Sequence, residues 1–477
     1  MKKFCSYIAS FGLLGLLVLS CKIATVQQKE KAPNFIVILV DDQGWNGTSV
    51  QMSDELSQSK SDYHQTPNIL TLANRGMRFS SAYASAPVCS PSRYSIQFGQ
   101  TPARLRMIRV GMNTNHINHQ RATTIPKLLK KVNPAYITAH YGKWGIDVDP
   151  AEMGYDKSDG ITGNKDGGFD YKSNKNQWRN NIDEDPKKIF STTQRAINFI
   201  EEQATSKRPF FLQLSHYAVH SDIMMRKETL EKYKAVKKGK YQNHPGFAAM
   251  TEDLDTSVGL LLERVKALGL EENTYIIYTS DNGAVPVMPP RAQYKHGTNT
   301  PLSRGKWDAM EGGIRVPFVI AGPKIKAGIE SKVPITFSDL LPTIADLAGY
   351  TNSFSDEIDG GSFKEILSND GSGTINRATE GLVFHVPYAN GIALKRAHSA
   401  IIQDGFKLIK FHDNNQLMLF NLSKDLEEKN NLAFTHPDKL NALEKGLDAY
   451  LTKVKAPKWE PGITWKNKPI EKINSFH

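Results

Sequence analysis

The chain has 477 residues, 39% of them hydrophobic and 23% charged, with no repeat at solenoid period and no long low-complexity tract. This composition excludes a solenoid or a disordered chain and leaves room for a large buried core and two domains. The formal net charge of +11 favours anionic partners, yet no basic helix or finger motif accompanies it, so nucleic acid is not expected.

Lys2 and Lys3 precede an apolar run over residues 8–19. It reads as a secretory signal, being too short for an ordinary bilayer-spanning helix. Val18-Leu19-Ser20-Cys21 resembles a bacterial lipobox, in which Cys21 is lipidated and becomes the mature N-terminus; cleavage of a plain signal peptide near Ser20 is the other reading. Residues 1–20 are therefore expected as a lipoprotein-type signal peptide and residues 21–31, polar and rich in Lys and Gln, as a tether. The product would be exported and lipid-anchored to a bacterial membrane, periplasmic or at the cell surface. Only three cysteines occur, Cys5, Cys21 and Cys89, so the exported chain is not built on disulfides.

Continuous apolar runs at 35–40, 135–138, 210–214, 275–278 and 317–320 read as buried parallel strands. Helical patterns at 67–74, 192–205, 248–268 and 340–348 alternate with them. The alternation predicts an α/β fold, a doubly wound, mostly parallel sheet flanked by helices, over residues 32–370. Residues 352–374, rich in Ser, Gly, Asp and Asn, mark a boundary. Beyond it, short strands at 399–402, 406–410 and 417–420 and a helix near 440–454 predict a smaller C-terminal subdomain over 371–477, an antiparallel sheet with one covering helix.

Polar residues cluster just past the strand ends, where open α/β sheets bind ligands. Asp41 and Asp42 follow the first strand, Lys143 the second, His220 the third, and Asp281 and Asn282 the fourth. Three carboxylates and an amide converging on one edge would repel one another without a cation, and an all-oxygen set suits calcium or magnesium.

Cys89 opens Cys89-Ser90-Pro91-Ser92-Arg93, six residues before Gly99. A free Cys is ordinarily a small buried hydrophobe, but here Pro91, Arg93 and a helix start sit at fixed offsets. The segment resembles the signature of the formylglycine-dependent sulfatases of the alkaline-phosphatase superfamily, and in particular bacterial polysaccharide sulfatases. Further resemblance lies in residues 34–42, Thr66-Pro67-Asn68, Thr279-Ser280-Asp281-Asn282-Gly283, Gly305-Lys306, residues 311–317 and the hairpin around Asp404-Gly405.

The resemblance implies roles for these residues. Asp41, Asp42, Asp281 and Asn282 would hold one ion, calcium rather than magnesium. Cys89, oxidised to formylglycine by a maturation enzyme, would be the nucleophile and give the ion an oxygen. Arg93 would fix the formylglycine hydrate, Lys143 and Lys306 would bind the sulfate oxygens, and His220 would serve as acid/base. One hydroxyl of the hydrate would attack sulfur, and the other would expel sulfate by C–O cleavage. Lys295, His296, Arg304 and His385, in polar loops, are candidates to read the sugar. One departure stands out. Where family members commonly have Gly-Lys-Trp-His, Gly142-Lys143-Trp144 is followed by Gly145, so His220 acts alone or another histidine such as His140 fills the gap.

The implied function is hydrolysis of sulfate esters on an extracellular sulfated polysaccharide or its oligosaccharides, an algal polymer such as ulvan or carrageenan being favoured. The alternatives are a phosphonate or phosphate ester hydrolase of the same superfamily and a non-catalytic glycan-binding lipoprotein.

Overall fold

A computed structural model describes residues 31–169, 178–286, 298–389 and 396–462. Its centre is an eight-stranded sheet. In chain order the strands are β1 (Asn34–Val40), β2 (Met77–Phe79), β3 (Ile137–Gly142), β4 (Lys157–Ser158), β5 (Phe210–Ser215), β6 (Thr274–Ser280), β7 (Phe318–Ala321) and β8 (Ile329–Ser331). Their spatial order is β8-β2-β7-β6-β1-β5-β3-β4. The three innermost, β1, β5 and β6, are buried along their whole length, as near-continuous runs such as Phe35-Ile36-Val37-Ile38-Leu39-Val40 require.

The alternating side chains of β1 feed two cores. Ile36, Ile38 and Val40 pack with the helices α3 (Ile189–Ser206) and α4 (Pro245–Ala267) and with α1 (Pro67–Asn74). Phe35, Val37 and Leu39 pack on the other face with α2 (Cys89–Phe98) and α5 (Leu340–Leu347). A sheet covered on both faces is the doubly wound arrangement expected of the pattern.

Register decides where the polar residues emerge. β1 runs parallel to β6 from Asn34 beside Thr274 to Val40 beside Ser280, and parallel to β5 with Leu39 beside Ser215. β5 in turn sets Ser215 beside Gly142 of β3. Asp41, Asp281, Lys143 and the segment leading to His220 therefore leave the sheet at one edge.

Two expectations change. The run at 317–320 is a sheet strand, but β7 is antiparallel to both β6 and β2. The strand expected at 135–138 starts at Ile137, because Tyr136 N–H closes a turn onto Asn133 O at 3.1 Å.

The C-terminal sheet has four antiparallel strands in chain order: β9 (Leu382–Val386), β10 (His398–Gln403), β11 (Phe406–Phe411) and β12 (Leu417–Asn421). Alternation splits their side chains. Ile401, Leu408 and Leu419 meet Leu443, Leu447 and Tyr450 of the covering helix α6 (Pro437–Lys453). Ala400, Ile409 and Phe420 face Tyr83, Met310 and Ile314 of the main body. Leu443 and Leu447 are buried, each worth about 1.5–3 kcal/mol of apolar transfer. β9 was not among the strands expected from the sequence; its His385 interrupts an otherwise apolar run.

Candidate active site

Asp41 and Asp42 end β1, and the backbone there is pinned on both sides. Asp41 N–H donates to Ala218 O at 2.9 Å, Val219 N–H donates to Asp41 O at 2.7 Å, and Asp281 N–H donates to Val40 O at 3.0 Å. Asp42 takes a left-handed φ of 58°, which an aspartate tolerates better than most side chains. Its N–H then reaches Asp281 Oδ1 at 3.2 Å, and its Oδ1 accepts from Asn282 Nδ2 at 2.7 Å. Ligand oxygens of Asp41, Asp42 and Asp281 lie within 4.8 Å of one another. Asp41 Oδ1 and Asn282 Oδ1 are buried with no hydrogen-bond partner among the described residues. Orphaned buried oxygens among converging carboxylates fit a hard divalent cation, which takes oxygen ligands.

Three cations face this cluster. Arg93 lies one helical turn beyond Cys89, on the same face of α2, and its NH2 sits 2.8 Å from Asp281 Oδ2. Its NH1 donates to Lys143 O. Lys143 Nζ meets Asp41 Oδ2 at 2.5 Å, and Lys306 Nζ meets Asp42 Oδ2 at 2.6 Å. Burial favours a neutral amine, yet Asp41 holds Lys143 well above the ordinary lysine value and Asp42 raises Lys306. Burial would raise Asp41, but Lys143, Arg93 and Lys306 together hold it well below the usual carboxylate range. Burial and the neighbouring Asp41 push Asp281 up to about 6 against the pull of Arg93.

Cys89 is the first residue of α2, after an extended Val88, and is 4% exposed. Arg93, Lys143 and Lys306 all lie close to it. The helix start is held by Ser92, whose Oγ accepts from Ala86 N–H at 3.0 Å and donates to Ala86 O at 2.9 Å. Gly99 ends the helix at φ 65°, where a Cβ would press on Leu341 at 3.2 Å. That contact explains a glycine six residues after Arg93.

Residues 33–350 match the family model described as Sulfatase. The chain belongs to the sulfatase family. It is a sulfuric ester hydrolase. A second model, N-sulphoglucosamine sulphohydrolase, C-terminal, matches residues 306–456. The N-acetylgalactosamine-6-sulfatase of Mus musculus is 29% identical over 380 residues, 72% of this chain and 68% of that one. An ulvan-active sulfatase of Formosa agariphila is 25% identical over 477 residues, 92% of this chain and 85% of that one. The crystal structure of Ps i-CgsB in complex with k-i-k-neocarrahexaose has a TM-score of 0.71 and 26% identity, covering 90% of this chain and 94% of that chain.

In this sulfatase His220 is 9% exposed, with Nε2 3.7 Å from Asp42 Oδ2. Its Nδ1–H donates to Ser221 O, which leaves the Nε2 lone pair facing the carboxylates. Burial and Lys306 lower its pKa to about 4, so the ring is neutral. Phe169 holds it edge-on at 5.1 Å. His140 does not join the group: it packs in the core against Trp144 at 4.7 Å, with Nε2 on Ser215 Oγ at 3.0 Å. Gly145 has φ 70°, and a Cβ there would come within 2.9 Å of Arg93 Cδ. A histidine at 145 would have to displace Arg93.

The sugar-reading candidates separate. His385 lies in β9, not in a polar loop. Its Nδ1 meets Ser399 Oγ at 2.7 Å and its Nε2 meets Pro457 O at 2.7 Å. Both ring nitrogens are engaged within the C-terminal part, so it is a structural histidine and the expectation is corrected. Arg304 stands in the Lys306 loop with Nε on Asp308 Oδ2 at 2.8 Å. Lys295, His296 and Cys21 lie outside the described residues.

Sequence reasoning missed what holds the Lys306 loop. Lys306 N–H donates to Ala284 O at 2.9 Å, and Asn299 Nδ2 donates to Ala284 O at 2.9 Å and Arg304 O at 3.0 Å. From the C-terminal side, His398 Nε2 accepts from Ala309 N–H at 2.9 Å, and Glu428 Oε2 accepts from Glu311 N–H at 2.8 Å. No local pattern announces these partners.

Proposed function

We propose that this enzyme hydrolyses sulfate esters of an extracellular sulfated polysaccharide or its oligosaccharides, with Cys89 matured to formylglycine and a calcium ion held by Asp41, Asp42, Asp281 and Asn282. The observation that carries the reading is Cys89 at a helix start, among Arg93, Lys143 and Lys306, beside carboxylates with orphaned oxygens. An ulvan-active sulfatase and a carrageenan-oligosaccharide complex among the similar proteins, with the charge of +11, support a polyanionic, algal-type substrate. The lipobox-like Val18-Leu19-Ser20-Cys21 supports export and anchoring through Cys21.

When bound, the ion supplies positive charge that offsets the clustered carboxylates and polarises an oxygen at the reacting centre. The chain's own groups do the rest. Lys143 and Lys306 take the sulfate oxygens and stabilise charge moving onto the leaving oxygen. Arg93, fixed between Asp281 and the Lys143 carbonyl, orients the Cys89 side chain. Neutral His220 takes or returns a proton at Nε2. The N-terminus of α2 adds its dipole at Cys89.

The test is a panel of sulfated oligosaccharides with sulfate release read by ion chromatography, alongside mass spectra of the Cys89 peptide. Release from saccharide esters and an aldehyde or hydrate at Cys89 are expected. Full activity with Cys89 only as free thiol would overturn the mechanism, and faster cleavage of the matching phosphate ester would overturn the substrate class.

A further inference from the structure

Three buried lysines lie in the field of the carboxylate cluster. Lys143 and Lys306 each hold an ion pair there. Lys187 does not. It is 2% exposed, the charges of Asp222, Asp41 and Asp42 act on it, and among the described residues it makes no hydrogen bond or ion pair. An ammonium group taken out of water without a partner is costly.

Its backbone shows how it is aimed. Pro186–Lys188 form one tight turn before α3, in which Lys187 and Lys188 are both left-handed, with φ 54° and 53°. Lys188 N–H donates to Asp185 O at 2.9 Å, and Asp185 Oδ1 accepts from Phe190 N–H at 2.8 Å. The turn sends Lys188 into solvent and Lys187 inward. Left-handed backbone is uncommon for residues other than Gly and Asn or Asp, and it collects at functional sites.

The charges point to what is missing. Asp41, Asp42 and Asp281 balance Arg93, Lys143 and Lys306. Asp222 offsets Lys187, and a bound divalent cation would then leave positive charge that one singly charged sulfate monoester does not neutralise. Burial draws the Lys187 ammonium down to about 8, opposed by Asp222 and Asp41, so it is largely charged at neutral pH and a nearby anion would strengthen that charge.

We infer that Lys187 binds a second anionic group of the substrate, a neighbouring sulfate or a uronate carboxylate, and makes this site selective for multiply charged sulfate esters. The inference rests on the sulfated-saccharide reading above.

The experiment uses the full chain with Cys89→Ser to block turnover, in calcium, with and without Lys187→Met or Lys187→Arg. Calorimetry follows three probes: a monosulfated hexose, the same hexose with a second sulfate, and the monosulfated hexose linked to a uronic acid. Lys187→Met is expected to weaken at least one doubly charged probe at least about tenfold more than the monosulfated one, with Lys187→Arg keeping most of the preference. The probe that loses more identifies the second group. Lys187→Met is also expected to raise the thermal midpoint, because an unpartnered buried charge is replaced by an apolar chain of similar length. An equal loss on all probes, no loss on any, or a lowered midpoint would make Lys187 structural and overturn the inference. Failure of every probe to bind the Lys187 protein would overturn the saccharide reading as well, whereas binding without charge preference overturns Lys187's role alone.

Discussion

Two clusters of buried charge in this molecule look alike by composition and differ in how they are completed. Between the main body and the C-terminal sheet, Lys407 Nζ lies 2.7 Å from Glu428 and 3.0 Å from Glu311, and Glu311 lies 2.6 Å from Arg315, which also donates to Tyr83 OH at 2.6 Å. Each charge there is answered by an opposite charge of the chain. At the carboxyl edge of the main sheet, Asp41 Oδ1 and Asn282 Oδ1 find no partner among the described residues. The first cluster is closed by its own ion pairs and joins two sheets; the second presents converging oxygens that would suit a hard cation. Buried charge alone therefore says little about function; what fits a cation is the convergence of several carboxylates with unanswered oxygens at one strand edge.

Breaking the open cluster should cost chemistry. Asp281→Ala removes a carboxylate and leaves Arg93 unpaired. Metal affinity and activity are expected to fall together by more than the ~10–100-fold that loss of an outer-shell partner costs, read by metal analysis and sulfate release. Chelation should inactivate the native enzyme reversibly; full activity from exhaustively chelated, metal-free protein would reject the site. His220→Ala is expected to lower kcat by at least about a hundredfold with little change in KM, the usual scale for an acid/base group. A near-neutral result in folded protein would move the proton role to another residue.

Breaking the closed cluster should cost stability instead. Lys407→Met leaves Glu311 and Glu428 buried without their shared cation, a loss of about 3–5 kcal/mol, seen as a lower denaturant midpoint at unchanged slope. If Lys407→Met keeps its stability, the network is not what joins the sheets. A further effect concerns pH. Burial lowers His140, His385 and His398 to about 3, 4 and 3. The unfolded chain takes up these protons near pH ~6.5, so this stability is fully present above that value and declines as pH falls toward ~4. Thermal midpoints measured from pH 7 to 4.5 should fall, and a flat profile would show that these rings are not held neutral.

The contrast also separates what was readable in advance. Strand runs such as 35–40 and 275–278 were legible because strands buried on both faces must be apolar throughout. Asp41, Asp42, Asp281 and Asn282 were legible because a strand's end fixes where the next residues point. The short strands β2, β4 and β8 were not, since strands of two or three residues carry little pattern, and β7's direction depends on how the chain re-enters the sheet.

From its sequence alone, this protein has an α/β pattern and an antiparallel C-terminal sheet, which local periodicity encodes, and a Cys89 segment and carboxylate set that resemble those of the sulfatase family. Only the tertiary structure decided that His385 is engaged within the C-terminal sheet, that Gly145 gives room to Arg93, and that Glu428 and His398 brace the Lys306 loop. It also decided that Lys187, one of two adjacent lysines the sequence cannot tell apart, turns inward. Those outcomes depend on which distant side chain meets which polar atom, and residues far apart in the chain leave no periodic trace of meeting.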